Sequence, residues 1–221
     1  EGQARAKQLL EAAVNALGGA PQVDGVKTLR QVAKAVQTLG GQTMEATITA
    51  TSMFPDHFRQ EISSVGGEMV VAASPTGAFM RSPQGTLPLP GSAGDDMRRD
   101  FRRHFFALIK ARNGAGFQAT SAGTGEVDGT AVERVQIDYE GDVTTLAIDL
   151  ETGRILESSY QGSGPGGAPG TITQRFTDFR PAGGLVLPHR TVSLWNGQPG
   201  TDVELTAVEV NPAVDAKAFE P

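Results

Sequence analysis

The chain has 221 residues, a net charge of -6, 38% hydrophobic and 20% charged residues, and no cysteine. That length suits one large β domain or two small ones, and the composition is that of a folded globular protein, neither disordered nor membrane-spanning. The lack of cysteine excludes disulfides, cysteine-based zinc sites and thiol catalysis, and the negative charge argues against nucleic acid as a partner.

Ala4 to Leu17 sets Ala6, Leu9, Leu10, Ala13, Val14 and Leu17 at helical spacing, and Gly18-Gly19 supplies the stop. An N-terminal helix is therefore expected over about 4–18. Pro21 to Val26 reads as one further helical turn. Lys27 to Thr38 fits helical spacing too, but Gly40-Gly41 and a clear strand after it favour the first arm of a hairpin. In that next strand Met44, Ala46, Ile48 and Ala50 alternate with Glu45, Thr47, Thr49 and Thr51, giving one greasy and one wet face. Pro55-Asp56 turns the chain into His57 to Ser63, and Gly66-Gly67 turns it again into Met69 to Ala73 and Ala78 to Arg81. Thr86 to Gly91, with two prolines, reads as a rigid connector.

A central helix is expected over Asp96 to Arg112, with Ser92 or Asp95 as N-cap and Asn113-Gly114 as stop. Met97, Phe101, Phe105, Leu108 and Arg112 trace one stripe, widened by Phe106 and Ile109. The other face carries Arg98, Arg99, Arg102, Arg103, His104 and Lys110. A second meander follows: Phe117 to Thr124, Ala131 to Tyr139, Val143 to Leu150 and Arg154 to Tyr160, with Asp128-Gly129 as a strong hairpin signal. Gly162 to Gly170 reads as a mobile loop, and three more strands run over Thr171 to Phe179, Leu185 to Trp195 and Asp202 to Val210. In the last, the inward set slips from Val203, Leu205 and Ala207 to Val208 and Val210, which predicts a bulge. The fold expected is mainly antiparallel β within the α+β class. It is a strongly curved half-open barrel of about eleven strands, closed by the two helices, with residues 1–221 as one domain.

No catalytic constellation emerges. His57, His104 and His189 include no pair at i, i+3 or i+4, so metal-ligand pairs of the His-Glu-x-x-His type are absent. No nucleophile elbow, phosphate-binding loop or dinucleotide fingerprint lies between a strand and a helix. Asp95 and Asp96 sit where helix N-termini favour carboxylates. No cofactor, metal or enzymatic activity is expected. A sheet curved around one helix encloses more space than the helix fills, and the remainder is a cavity for an apolar ligand. The residues assigned to it are Met44, Ile48, Phe58, Met69, Phe79, Phe101, Phe105, Leu108, Ile137, Leu146 and Ile148. Arg98, Arg99, Arg102 and Arg103 make the polar face of the helix one-signed, suited to an anionic head group or membrane surface.

The order of elements resembles a known superfamily. A helix ends in Leu17-Gly18-Gly19, and a meander then contains Phe54-Pro55-Asp56-His57-Phe58-Arg59. A central helix leads to a second meander with Asp149-Leu150-Glu151-Thr152-Gly153-Arg154. This looks like the LolA/LolB type of bacterial outer-membrane lipoprotein carrier, whose members are half-open antiparallel barrels closed by helices and holding acyl chains. The Ala16 to Gly19 helix end, the Gly164-Pro165-Gly166 loop and the closing Val210-Asn211-Pro212 with Phe219 also resemble LolA-like domains at the C-terminal end of some insulinase-like zinc peptidases. In such chains the catalytic His-x-x-Glu-His motif, missing from these residues, lies elsewhere.

Two functions are expected from this resemblance and the residues. One is a periplasmic or cell-envelope binding domain for lipid, acyl chains or acylated protein, with peripheral membrane contact. The other is an accessory domain that binds an envelope protein or a peptidase domain and takes no small ligand. The chain opens at Glu1 within a helical pattern, so it reads as a mature protein or an excised domain.

Overall fold

Two β-meanders meet in the middle of one sheet. The structure, a computed structural model, describes residues 1–39, 41–164 and 167–221. Parts of the expected Gly40-Gly41 turn and Gly162 to Gly170 loop lie outside those residues.

Helix α1 (Gly2–Ala16) and the short α2 (Ala20–Gly25) open the chain. The first meander comprises β1 (Thr28–Leu39), β2 (Gln42–Met53), β3 (His57–Ser64), β4 (Gly67–Ser74), β5 (Gly77–Ser82) and β6 (Gly85–Pro88). Helices α3 (Gly91–Arg103) and α4 (Phe105–Ala111) cross to the far edge. There the second meander runs back through β7 (Phe117–Val127), β8 (Thr130–Tyr139), β9 (Asp142–Asp149), β10 (Ile155–Ser163), β11 (Pro169–Ala182), β12 (Leu185–Trp195) and β13 (Gln198–Val210). Among the described residues these thirteen strands form one antiparallel sheet, ordered β6 to β1, then β13 to β7, so β13 joins the meanders by pairing with β1. The sheet is open, with α1, α3 and α4 on its concave side.

Lys27 to Thr38 adopts the hairpin arm rather than the helix, pairing with β2 from Thr28 to Leu39. The bulge expected in the last strand is present: Val32 faces Ala207 and Ala33 faces Leu205, so Thr206 has no partner in the ladder. Its hydroxyl instead donates to the Val32 carbonyl at 3.1 Å. The slip keeps Val203 and Leu205 on the concave face on one side of the bulge and Val208 and Val210 on the other.

Three expectations are corrected. The segment read as a rigid connector forms β6, whose Thr86 and Leu87 pair with Arg81 and Met80. Helix α3 starts at Gly91, five residues early, because Gly94 lies buried against β5, where an added Cβ would stand 3.0 Å from that of Ala78. A Gly-Ser-Ala-Gly start thus acts as a close-packing surface rather than a loop. Third, the central helix is broken at His104, whose φ -60 and ψ 130 are extended. The break sends Phe101 to stack on Phe54 and Phe58 of the first meander, at 5.7 and 5.4 Å, and Phe105 onto Phe176 of β11, at 4.9 Å. An unbroken helix would hold both rings on one line and reach one wall of the curved sheet.

The dry core fills the half of the concave side built by the second meander. Leu9, Leu10, Ala13, Val14 and Leu17 of α1 pack with Phe106, Leu108 and Ile109 of α4 over Val135, Ile137, Leu146, Ile148 and Leu185. Fully burying each Leu, Ile or Phe stabilises the fold by roughly 1.5–3 kcal/mol. An ion pair also tethers α1: Arg5 donates Nε and Nη2 to Glu133 Oε2 on β8, at 2.9 and 2.6 Å. The β9–β10 turn meets the same helix through Gly153, at φ +73, where a Cβ would lie 2.7 Å from the Ala12 carbonyl oxygen. Gly153→Ala combines backbone strain with a clash against helix backbone, and is expected to cost about 2 kcal/mol in urea unfolding. A change under about 0.5 kcal/mol would refute that close docking.

Candidate binding cavity

Where α1 stops covering the sheet, a cavity of about 530 Å³ opens between the concave face and α3. Strand alternation and register build its floor. Leu29, Gln31 and Ala33 of β1 stand opposite Ser52, Ala50 and Ile48 of β2, and these face Phe58, Gln60 and Ile62 of β3. Val203 and Leu205 of β13 and Thr191 and Ser193 of β12 continue it. Met97, Phe101, His104 and Phe105 form the roof.

Of the residues assigned from sequence, Ile48, Phe58, Phe101 and Phe105 line this cavity. Leu108, Ile137, Leu146 and Ile148 belong instead to the packed core, because α1 and α4 occupy that half of the concave side. Phe79 lies on the opposite face: its ladder partner Ala72 pairs with Arg59, whose guanidinium donates to the Ala218 carbonyl in the C-terminal 3-10 turn at 2.8 Å. Met69 faces Ile62 and is half-buried. Met44 shares the Ile48 side of β2 but is 50% exposed toward the strand end.

The four arginines meet acidic partners. Asp142 at the start of β9 is 8% exposed. It receives Arg99 Nε at 3.1 Å, Arg102 Nη2 at 2.9 Å and Arg103 Nη2 at 3.2 Å. Arg98 pairs with Asp95 at 2.6 Å and donates to the Ser74 carbonyl at 3.1 Å. A second pocket of about 510 Å³ lies beside α3 and α4, lined by the cations Lys27, Arg98, Arg102 and Lys110 and the carboxylates Asp56 and Glu140. Phe54 and Phe101 wall both spaces.

Titratable groups at the roof are tuned mainly by burial. His104 lines the cavity roof, and desolvation pushes its pKa down to about 4, leaving it neutral at pH 7. Burial raises the Asp100 carboxyl, opposed by Arg103. Burial, with Asp100 second, pushes Tyr160 up to about 12. Arg103 also lies over the Tyr160 ring, 5.0 Å from its centroid. Among the described residues, no three His, Cys, Asp or Glu side chains converge to hold a metal ion.

No family model matches the chain, and no curated protein matches it. Solved structures do resemble it. A LolA-superfamily protein from Nitrosomonas europaea is 10% identical, with a TM-score of 0.65 over 98% of this chain and 97% of its own. A DUF1329-family protein from Desulfovibrio piger is 13% identical, with a TM-score of 0.64 over 97% of both chains. A domain from Vibrio parahaemolyticus, described as a putative outer-membrane lipoprotein-sorting protein, is 10% identical, with a TM-score of 0.62 over 97% of both. At these identities the likeness shows the fold: a curved, open antiparallel sheet with few helices, of the LolA-like kind expected from the sequence.

Proposed function

We propose that the chain acts as one non-catalytic binding domain of the bacterial cell envelope, holding a lipid, an acyl chain or an acylated protein in the cavity under α3. The observation that carries this reading is the cavity itself. Its volume falls within the roughly 300–1,000 Å³ typical of ligand sites. Leu29, Ile48, Phe58, Phe101 and Leu205 give it apolar walls. Each methylene moved there from water contributes about 0.8 kcal/mol. The description of the Vibrio parahaemolyticus neighbour as a lipoprotein-sorting domain supports an acyl ligand and a place outside the cytoplasm. Arg98 and Arg102, with Lys27 and Lys110 of the adjoining pocket, are placed to attract an anionic head group or membrane surface. Arg99, 45% exposed, can add to that attraction, whereas Arg103 is 11% exposed and committed to Asp142.

Ala50→Trp tests this reading. Position 50 is in mid-floor, half-buried and flanked by space, so the indole fills the cavity instead of overpacking a dry core. The protein should bind a fluorescent fatty acid stoichiometrically, and the variant should bind at least tenfold more weakly with its melting temperature changed by only a few degrees. Equal binding by both proteins would rule out the cavity as the site. No binding by the parent protein would favour the accessory reading, in which the domain contacts an envelope protein or a peptidase and takes no small ligand.

A further inference from the structure

The floor of the cavity is not uniformly apolar. Gln31, Ala50 and Gln60 form one row across β1, β2 and β3, so two carboxamides flank a side chain too short to separate them. On the other wall Gln174 of β11 stands opposite Ser193 of β12. All three glutamines are half-buried and line the cavity, and none of their side-chain carboxamides hydrogen-bonds to another described residue. Beneath Gln174, its ladder partner Ser158 is fully buried, and its hydroxyl has no partner among the described residues.

A strand face that served only as core would place apolar side chains at these positions. Three carboxamides on it offer both donors and acceptors to whatever fills the space. A bare hydrocarbon chain would displace their water and return no hydrogen bond, which is unfavourable at every group left unpaired.

We propose that Gln31, Gln60 and Gln174 are specificity-determining residues. They select an amphiphile that carries hydroxyl or amide groups in the part that enters the cavity, in preference to an unsubstituted alkyl chain. This rests on the binding reading above and narrows its ligand class. The ligand lies along the floor with its apolar length against Leu29, Ile48, Phe58 and Leu205. Its substituents exchange hydrogen bonds with the carboxamides on either side.

Displacement of a fluorescent fatty acid by oleic acid and by its mid-chain hydroxylated analogue, ricinoleic acid, provides the test. Partitioning alone favours oleic acid, since a hydroxyl weakens transfer out of water, so the order of affinity is informative. Ricinoleic acid should bind the parent protein at least tenfold more tightly. Gln31→Leu, Gln60→Leu and Gln174→Leu, made singly and together, should move the preference toward oleic acid. The parent comparison decides even where a variant fails to fold. Tighter binding of oleic acid by the parent protein would overturn the proposed selectivity while leaving an acyl-binding cavity in place. Binding of neither acid, nor of the fluorescent probe, would overturn both.

Discussion

Asp142→Ala should lower unfolding stability by about 3 kcal/mol, measured by urea denaturation. The carboxylate accepts from Arg102 and Arg103, forms an ion pair with Arg99, and is 8% exposed. The three partners do not count equally. Arg99 is 45% exposed, so water screens most of its share. Arg103 is the member that cannot relax outward: its side chain is 11% exposed, packed over Tyr160, and its other carboxylate neighbour, Asp100, is 3.9 Å away. Removing Asp142 strands that guanidinium, and breaking one side of a buried pair costs about 3–5 kcal/mol. The low end applies because Arg103 keeps Asp100 and the ring. Arg99→Ala alone should cost under about 1 kcal/mol. Combining Asp142→Ala with Arg103→Met should recover much of the loss, since the uncompensated charge leaves with the arginine. If Asp142→Ala costs no more than Arg99→Ala, the cluster is a solvated surface feature and the arginines are free for other partners. A loss near 3 kcal/mol identifies it as the tie between the roof helix and the second meander.

The sequence revealed what is periodic and local. The apolar spacing of α1, the glycine-marked hairpins and the slip at Thr206 all follow from neighbours a few residues apart, and each is where alternation or helical spacing places it. The errors arise from long-range packing. Nothing near His104 announces a break, since it exists to let Phe101 and Phe105 reach opposite walls of a sheet whose curvature no local pattern encodes. Asp142 lies about forty residues beyond its arginines, outside the i, i+3 and i, i+4 spacing that makes a helical ion pair legible. The cavity misassignments have a different cause. Selecting the largest apolar residues finds Leu108, Ile137, Leu146 and Ile148, which are large because they fill space. A void is bordered by residues that leave space, here Ala33, Ala50, Ser52 and Ser193, with glutamines between them. In β2 alternation already sets Ile48 and Ala50 on the greasy face, but in β1 Gln31 interrupts the apolar pattern on the side that pairs with it. Register against β13 and β3 shows that face to be the concave one.

Acid should destabilise the protein first through His104. Its folded pKa of about 4 lies below its unfolded value of 6.5, so between these values the unfolded chain binds more protons. Stability from keeping this ring neutral is therefore full above about pH 6.5, is lost as pH falls toward 4, and then levels off. At about 1.36 kcal/mol per unit the upper bound on the loss is about 3.4 kcal/mol, reduced to about 2 kcal/mol by water that reaches the ring through the cavity. Other groups act in a lower window. Glu133 and Asp24, held low by hydrogen bonds from Arg5 and Arg112, lose their contribution only as pH falls below their ordinary carboxylate values. Asp100 is the exception: raised by burial, it titrates above its ordinary carboxylate value with the opposite sign, adding stability as it takes up a proton and offsetting part of the His104 loss. His104→Gln should flatten the curve between pH 6.5 and 4.5 while leaving the steeper acid limb. A wild-type slope surviving in that variant would assign the titration elsewhere. The same ring lines the roof of the binding cavity. An apolar ligand would exclude its remaining water, making protonation harder still when the cavity is full. By linkage, protonation must then weaken ligand binding to the same extent. With a folded pKa of about 4 the ring is only about one-tenth protonated at pH 5. Affinity for a fatty-acid probe should therefore fall by no more than about a tenth from pH 7 to pH 5 and several-fold only below about pH 4, a fall that His104→Gln should lessen.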